Sequence, residues 1–182
     1  MANVQSVCVY CGSADGCRTE YRAAARELGH ALAAEGIRLV YGGAHVGLMG
    51  AVADAALAAG GHVTGIIPQH LVDREIAHHG LSELYVVRNM HERKHSMADR
   101  ADAFLALPGG YGTLDELCEV LGWAQLGLHR KPIILLDTAG YWQPFLSMLD
   151  HAVQEGFLKI ANRQFALRAG NVAEAITMLR HF

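Results

Sequence analysis

The chain has 182 residues and a formal net charge of −3, with 52% hydrophobic and 18% charged residues. That length buries one substantial core, and no Pro-rich, Ser-rich or charged stretch divides it, so a single domain over residues 1–182 is expected. The negative total argues against a nucleic-acid partner; no apolar run approaches the roughly 20 residues of a membrane span, and Met1 to Val7 lacks a signal-peptide layout, so no membrane partner and a cytoplasmic location are expected.

Val4 to Tyr10 reads as a strand that ends at Cys11-Gly12-Ser13, and Glu20 to Glu35 carries apolar residues at helical spacing. Arg38 to Tyr41 is a strand running into the glycine-rich turn Gly42 to Gly50, followed by a helix over Leu48 to Ala59. His62 to Ile67 and Leu84 to Arg88 are strands, and Arg93 to Ala101 a helix. Ala103 to Leu107 is a strand entering a second glycine-rich turn, Pro108 to Thr113, before a helix over Leu114 to Leu126. Pro132 to Asp137 is a strand and Tyr141 to Glu155 a helix; Gln164 to Leu167 is a weaker strand, and Val172 to Leu179 closes with a helix. This alternation predicts an α/β fold, a Rossmann-like doubly wound parallel sheet with helices on both faces. Ligands of such sheets bind beyond the carboxyl ends of the strands, where the glycines fall.

Glycines let the backbone approach a ligand, and the helix start that follows supplies unpaired N–H groups and a positive dipole end, a combination suited to phosphate. The simpler reading is a tight strand-to-helix turn; two long glycine turns and a third strand end at Ser13 weigh against it. A dinucleotide site is disfavoured because the strand after the first turn ends Ile67-Pro68-Gln69, without an acid for the ribose. A triphosphatase is disfavoured because no glycine turn continues into Gly-Lys-Ser/Thr. The expected ligand carries one phosphate, and the candidate contacts are Ser13, Gly42, Gly43, Gly109, Gly110, Tyr111, Gly112 and Thr113.

Asp115 and Glu116 follow the second turn and are expected in the first turn of its helix, with Thr113 as a hydroxyl cap. There a carboxylate can simply stabilise the helix dipole, which should also keep Glu116 ionised. His91-Glu92-Arg93-Lys94-His95 opens a helix at the same edge, and the Arg offers a planar fork for phosphate or ribose oxygens. No metal is expected: Cys8 and Cys11 form a lone C-x2-C pair without a second one, and the histidines are scattered.

Together these motifs resemble the LONELY GUY family of cytokinin riboside 5'-monophosphate phosphoribohydrolases, whose P-G-G-x-G-T-x-x-E run is unbroken here from Pro108 to Glu116. The likeness extends to Cys11-Gly12-Ser13, Tyr41-Gly42-Gly43, Gly47 to Gly50, Met90 to Lys94 and Trp123 to Gly127. It implies a Rossmann-like fold and hydrolysis of an N6-substituted adenosine monophosphate to free base and ribose 5-phosphate, without a cofactor, in a homodimer or larger oligomer. It also implies that the catalytic Arg and Glu are Arg93 and Glu116, with Glu75, Lys94 and Gly110 to Thr113 as substrate contacts. One departure is Gly122, where the family often carries Thr, which alters one polar contact. Relatives are often labelled lysine decarboxylases, a chemistry that needs an imine-forming lysine; Lys94, Lys131 and Lys159 are the lysines present, none in a pattern that argues for one. A non-catalytic nucleotide sensor or carrier is the alternative of a different class.

Overall fold

The computed structural model describes residues 4–74 and 76–182. In chain order the elements are β1 Ser6–Tyr10, α1 Thr19–Ala34, β2 Arg38–Tyr41, α2 Gly47–Ala58, β3 Val63–Pro68, α3 Gln69–Val72, β4 Glu83–Val87, α4 Met90–Asp99, β5 Ala103–Ala106, α5 Tyr111–Gln125, β6 Ile133–Leu136, α6 Gln143–Gln154, α7 Ile160–Arg163, β7 Ala166–Ala169 and α8 Val172–Arg180. A 3-10 turn, Thr138–Gly140, follows β6.

All seven strands pair in parallel in the order β4-β3-β2-β1-β5-β6-β7. A sheet of this kind is buried on both faces, which is why β1, β3, β5 and β6 are buried along their whole length. Alternate residues of each strand feed two cores. On one face Val7, Val9, Leu39 and Tyr41 pack under α1, α2 and α8. On the other, Cys8, Tyr10, Val40 and Phe104 pack under α4, α5 and α6. The chain order reverses between β1 and β5, and a doubly wound sheet opens its crevice at that switch point.

The starts of α4 and α5 lie furthest from the expected ones, and both concern the site. The α4 helix begins at Met90 rather than Arg93, because the Asn89 side chain caps it by accepting from the Glu92 N–H at 2.9 Å. The α5 helix begins at Tyr111 with Gly110 as its cap residue, so Glu116 lies in the second turn and Thr113 is inside the helix rather than its cap. Glycines of low helix propensity made that stretch read as loop, whereas tertiary packing recruits it into the helix.

Candidate active site

Three strand ends converge. The Gly12 N–H donates to the Pro108 carbonyl at 3.0 Å, and the Leu48 N–H donates to the Gly12 carbonyl at 3.1 Å. These bonds bring the turns after β1, β2 and β5 together. Ser13, Gly109, Gly110 and Tyr141 line one cavity of about 300 Å³ there. Its far wall is Tyr21 from α1.

The backbone N–H groups of Gly110, Tyr111, Gly112 and Thr113 have no hydrogen-bond acceptor among the described residues, and no side chain caps the helix. They are the orphan donors of a 15-residue helix, at the positive end of its dipole. A Cβ on Gly110 or Gly112 would meet nothing within 4 Å, so neither glycine is required by packing inside the chain. Gly109 differs: its Cβ would fall 2.0 Å from Thr113 Oγ1 and 2.8 Å from the Gly12 N, so the turn closes only with glycine there. The Thr113 hydroxyl, on a buried residue, has no hydrogen-bond partner among the described residues.

Behind this terminus sits a buried ion pair. Arg93 from α4 is 8% exposed and Glu116 from α5 is 6% exposed. Arg93 donates from Nη1 to Glu116 Oε1 at 3.1 Å, from Nε to the Ile66 carbonyl at 3.1 Å and from Nη2 to the Gly42 carbonyl at 3.4 Å. Three of the five N–H groups a guanidinium carries are thus directed at protein oxygens. Gly42 is what admits it, since a Cβ there would lie 1.9 Å from Arg93 Nη2. The second oxygen of Glu116 has no partner among the described residues.

Burial raises the Glu116 pKa to about 7; Arg93 pulls it down and Asp115 pushes it back up. The expectation that the helix dipole keeps Glu116 firmly ionised is therefore corrected. In the second turn the carboxyl has left the few amides where the dipole acts, and desolvation dominates. A carboxyl poised near neutrality suits proton transfer at physiological pH.

Lys94, next along α4, faces α5 as well, where its ammonium contacts Asp115 at 3.0 Å and Glu119 at 3.1 Å. Burial alone would lower its pKa, but the two carboxylates outweigh burial and hold it above the ordinary value. An imine-forming lysine needs the reverse. Lys131 donates to the Ala98 carbonyl at 2.8 Å, away from the glycine turns.

Gly43 follows Gly42 with φ 73°, and its carbonyl accepts from the His78 N–H, so the segment after α3 is stitched onto this turn. An isolated antiparallel bridge between Ala44 and Ala77 reinforces the join. Glu75 lies outside the described residues. Cys8 and Cys11 are buried, with both thiols pushed well above their usual range by desolvation first and Glu116 second. Such thiols are poor sources of the thiolate a metal needs. Sequence reasoning did not single out the Ile66 carbonyl or Tyr141. The first carries no side-chain signal; Tyr141, just past the β6 strand end, was discoverable from its position at the crevice.

Fold and site together define a Rossmann-like α/β protein with an uncapped helix terminus at its sheet crevice and a buried carboxyl behind it. Residues 49–179 match the family model described as "Possible lysine decarboxylase". The chain is 50% identical over 176 residues to the cytokinin riboside 5'-monophosphate phosphoribohydrolase LOG of Oryza sativa subsp. japonica, an overlap covering 97% of this chain and 73% of that relative. It is 49% identical over 177 residues to the cytokinin riboside 5'-monophosphate phosphoribohydrolase of Rhodococcoides fascians, covering 97% and 89%. The chain belongs to the LONELY GUY family of these phosphoribohydrolases. The X-ray structure of TM1055, a structural-genomics target, superposes with a TM-score of 0.74 at 27% identity, covering 98% of this chain and 99% of the other. A molybdenum cofactor binding protein from Rippkaea orientalis superposes with a TM-score of 0.73 at 23% identity, covering 100% and 98%, and shares the fold.

Proposed function

We propose that this protein hydrolyses the N-glycosidic bond of N6-substituted adenosine 5'-monophosphates, releasing the free base and ribose 5-phosphate. Family membership at about 50% identity across 97% of the chain supports the activity. The single observation that carries the site assignment is the Arg93–Glu116 pair, one turn behind a helix start whose amides have no partner among the described residues.

In this reading the amides of Gly110 to Thr113, with Ser13 beside them, hold the 5'-phosphate, and Gly42, Gly43 and Gly109 shape the turns behind it. The C1'–N9 bond breaks with its electron pair leaving on the purine, and the ribosyl centre becomes cationic. Water adds its oxygen to C1', and Glu116 takes the proton through its free oxygen. A carboxyl with a pKa near 7 also releases that proton readily, so it is available to the departing purine. Arg93 holds Glu116 in place and keeps part of its population ionised despite burial. Lys94 braces α4 against α5 through Asp115 and Glu119, and Glu75 is carried as a further substrate contact on the family pattern.

A homodimer fits the same reading. Tyr111 is 94%, Leu126 72% and Leu128 69% exposed, apolar side chains at the two ends of α5 that a second copy would cover. No helix among the described residues is long and apolar enough to cross a membrane. The proposed location is the cytoplasm, where charged nucleoside monophosphates are retained.

The test is incubation of purified protein with N6-isopentenyladenosine monophosphate, AMP and the corresponding ribosides, with chromatography of the released base. Release that requires the 5'-phosphate and drops about 10²-fold or more in Glu116→Gln is expected. Binding of the nucleotides without turnover would instead make the protein a sensor or carrier.

A further inference from the structure

The turn after β6 reaches across the sheet to the glycine cradle. Asp137, whose side chain is fully buried, accepts from the Trp142 N–H at 2.7 Å, from Arg168 Nε at 2.7 Å and from Gln143 Nε2. The Trp142 indole N–H donates to the Ala106 carbonyl at 3.1 Å, the last residue of β5. Between Asp137 and Trp142 the backbone is left-handed at Ala139 (φ 53°) and Gly140 (φ 73°). A non-glycine residue holds that conformation only when its surroundings impose it. What the bend delivers is Tyr141, whose ring meets Tyr21 edge-on at 5.8 Å and Trp142 at 5.2 Å. Its hydroxyl donates to the Gly109 carbonyl at 2.5 Å.

That bond has a directional consequence. No peptide of the described chain is cis, and in a trans peptide the carbonyl and the following N–H point opposite ways. Holding the Gly109 carbonyl toward Tyr141 therefore turns the Gly110 N–H away from it. Glycines on both sides leave this peptide free to rotate without such a tether. The preceding peptide is fixed too, since the Pro108 carbonyl accepts from Gly12.

We propose that Tyr141 is a positioning residue for the 5'-phosphate: by tethering the Gly109 carbonyl it sets the Gly110 N–H into the same donor array as the first amides of α5. The inference rests on the phosphate-cradle reading above. In this role Tyr141 acts through the Gly109 carbonyl, so its contribution belongs to binding and not to the chemical step.

The experiment compares the wild-type protein with Tyr141→Phe, which keeps the ring and removes the tether. Titration calorimetry with inorganic phosphate, and with AMP in a Glu116→Gln background, gives affinity without turnover, and steady-state kinetics with N6-isopentenyladenosine monophosphate separates KM from kcat. A thermal melt checks folding, and Tyr141→Leu, which also removes the ring, serves as a packing control. The expected result is an affinity for both probes about 10-fold weaker in Tyr141→Phe, a matching rise in KM, kcat within about twofold of wild type and an unchanged melt. Unchanged affinity in Tyr141→Phe overturns the proposal, as does a loss confined to kcat or a loss seen only in Tyr141→Leu. If neither phosphate nor AMP binds with Tyr141 intact, the cradle reading fails and this proposal with it.

Discussion

Arg93 and Glu116 meet at 3.1 Å across the two helices that follow β4 and β5, and both side chains are more than nine-tenths buried. The pair ties a carboxyl poised near neutrality to a cation that is itself fastened to the ends of β2 and β3. A lysine in place of Arg93 would keep the charge but reach only one of the three oxygens.

Activity and stability are expected to run in opposite directions with pH. With Glu116 as the proposed base, kcat/KM should rise about tenfold per unit below pH 7 and level off above it. Folding responds the other way. A native pKa of about 7 lies above the unfolded value of 4.5, so the folded protein holds this proton more tightly. The stabilisation is complete below pH 4.5 and is lost as pH rises through 7, on the order of 3 kcal/mol in all. Urea unfolding of wild type and Glu116→Gln across this range isolates the effect, because Gln cannot titrate. A constant stability difference between the two would falsify the assignment.

Gly42→Ala should disable the site by displacing Arg93. The new methyl lies 1.9 Å from Arg93 Nη2, so the guanidinium must leave its place. Glu116 then loses the group that pulls its pKa down, and the acid limb of the pH–rate profile should move to higher pH while kcat falls about 10²-fold. A profile with its limb unmoved would mean that Arg93 does not set the ionisation of Glu116.

Gly110→Ala and Gly112→Ala should behave differently from Gly109→Ala. The first two face open space, so melting should hold while KM for the nucleotide rises about 10-fold, because the added methyl stands where the phosphate would sit. Gly109→Ala strikes Thr113 and the Gly12 backbone and should lower the melting temperature as well. Nucleotide affinity at the wild-type level in Gly110→Ala and Gly112→Ala would remove the ligand from this turn.

Ala139→Gly should stabilise the protein by about 1 kcal/mol without changing kcat, since it relieves a left-handed backbone at a side chain that is exposed. Equilibrium denaturation measures it directly; a loss of stability would show that the alanine methyl packs favourably at the bend.

Gly122→Ala tests the residue at which this chain departs from the family pattern. A Cβ there meets nothing within 4 Å and the position is mid-helix, so the change should add up to about 1 kcal/mol of stability. A KM for the N6-substituted nucleotide that rises while stability improves would place Gly122 beside the substrate; an unchanged KM would place it away.

The sheet and most helices were legible because buried apolar runs and helical periodicity are properties of local sequence: β2 at Arg38–Tyr41 begins and ends where the pattern does. The starts of α4 and α5 were not, because Asn89 and Gly110 act through cap geometry and long-range packing. The weaker strand expected at Gln164 to Leu167 is displaced to Ala166–Ala169, where it pairs with β6 in a register that local propensity does not contain. At the site, the glycine turns and the Arg and Glu were readable as motifs. Their tasks were not: that Gly42 makes room for a guanidinium, and that Glu116 is set by desolvation and not by its helix, are facts about neighbours far apart in sequence.

The three oxygens that receive Arg93 lie 27, 51 and 23 residues away along the chain. None of these contacts can form while the chain is local; each waits for a loop to close, and closing loops is what slows the folding of parallel sheets. The glycine turn after β2 is made before Arg93 even exists on a growing chain, and Glu116 arrives later still. One guanidinium therefore joins the turns of β2 and β3 to the helix that follows β5, and catalytic competence becomes a report that both halves of the sheet are assembled.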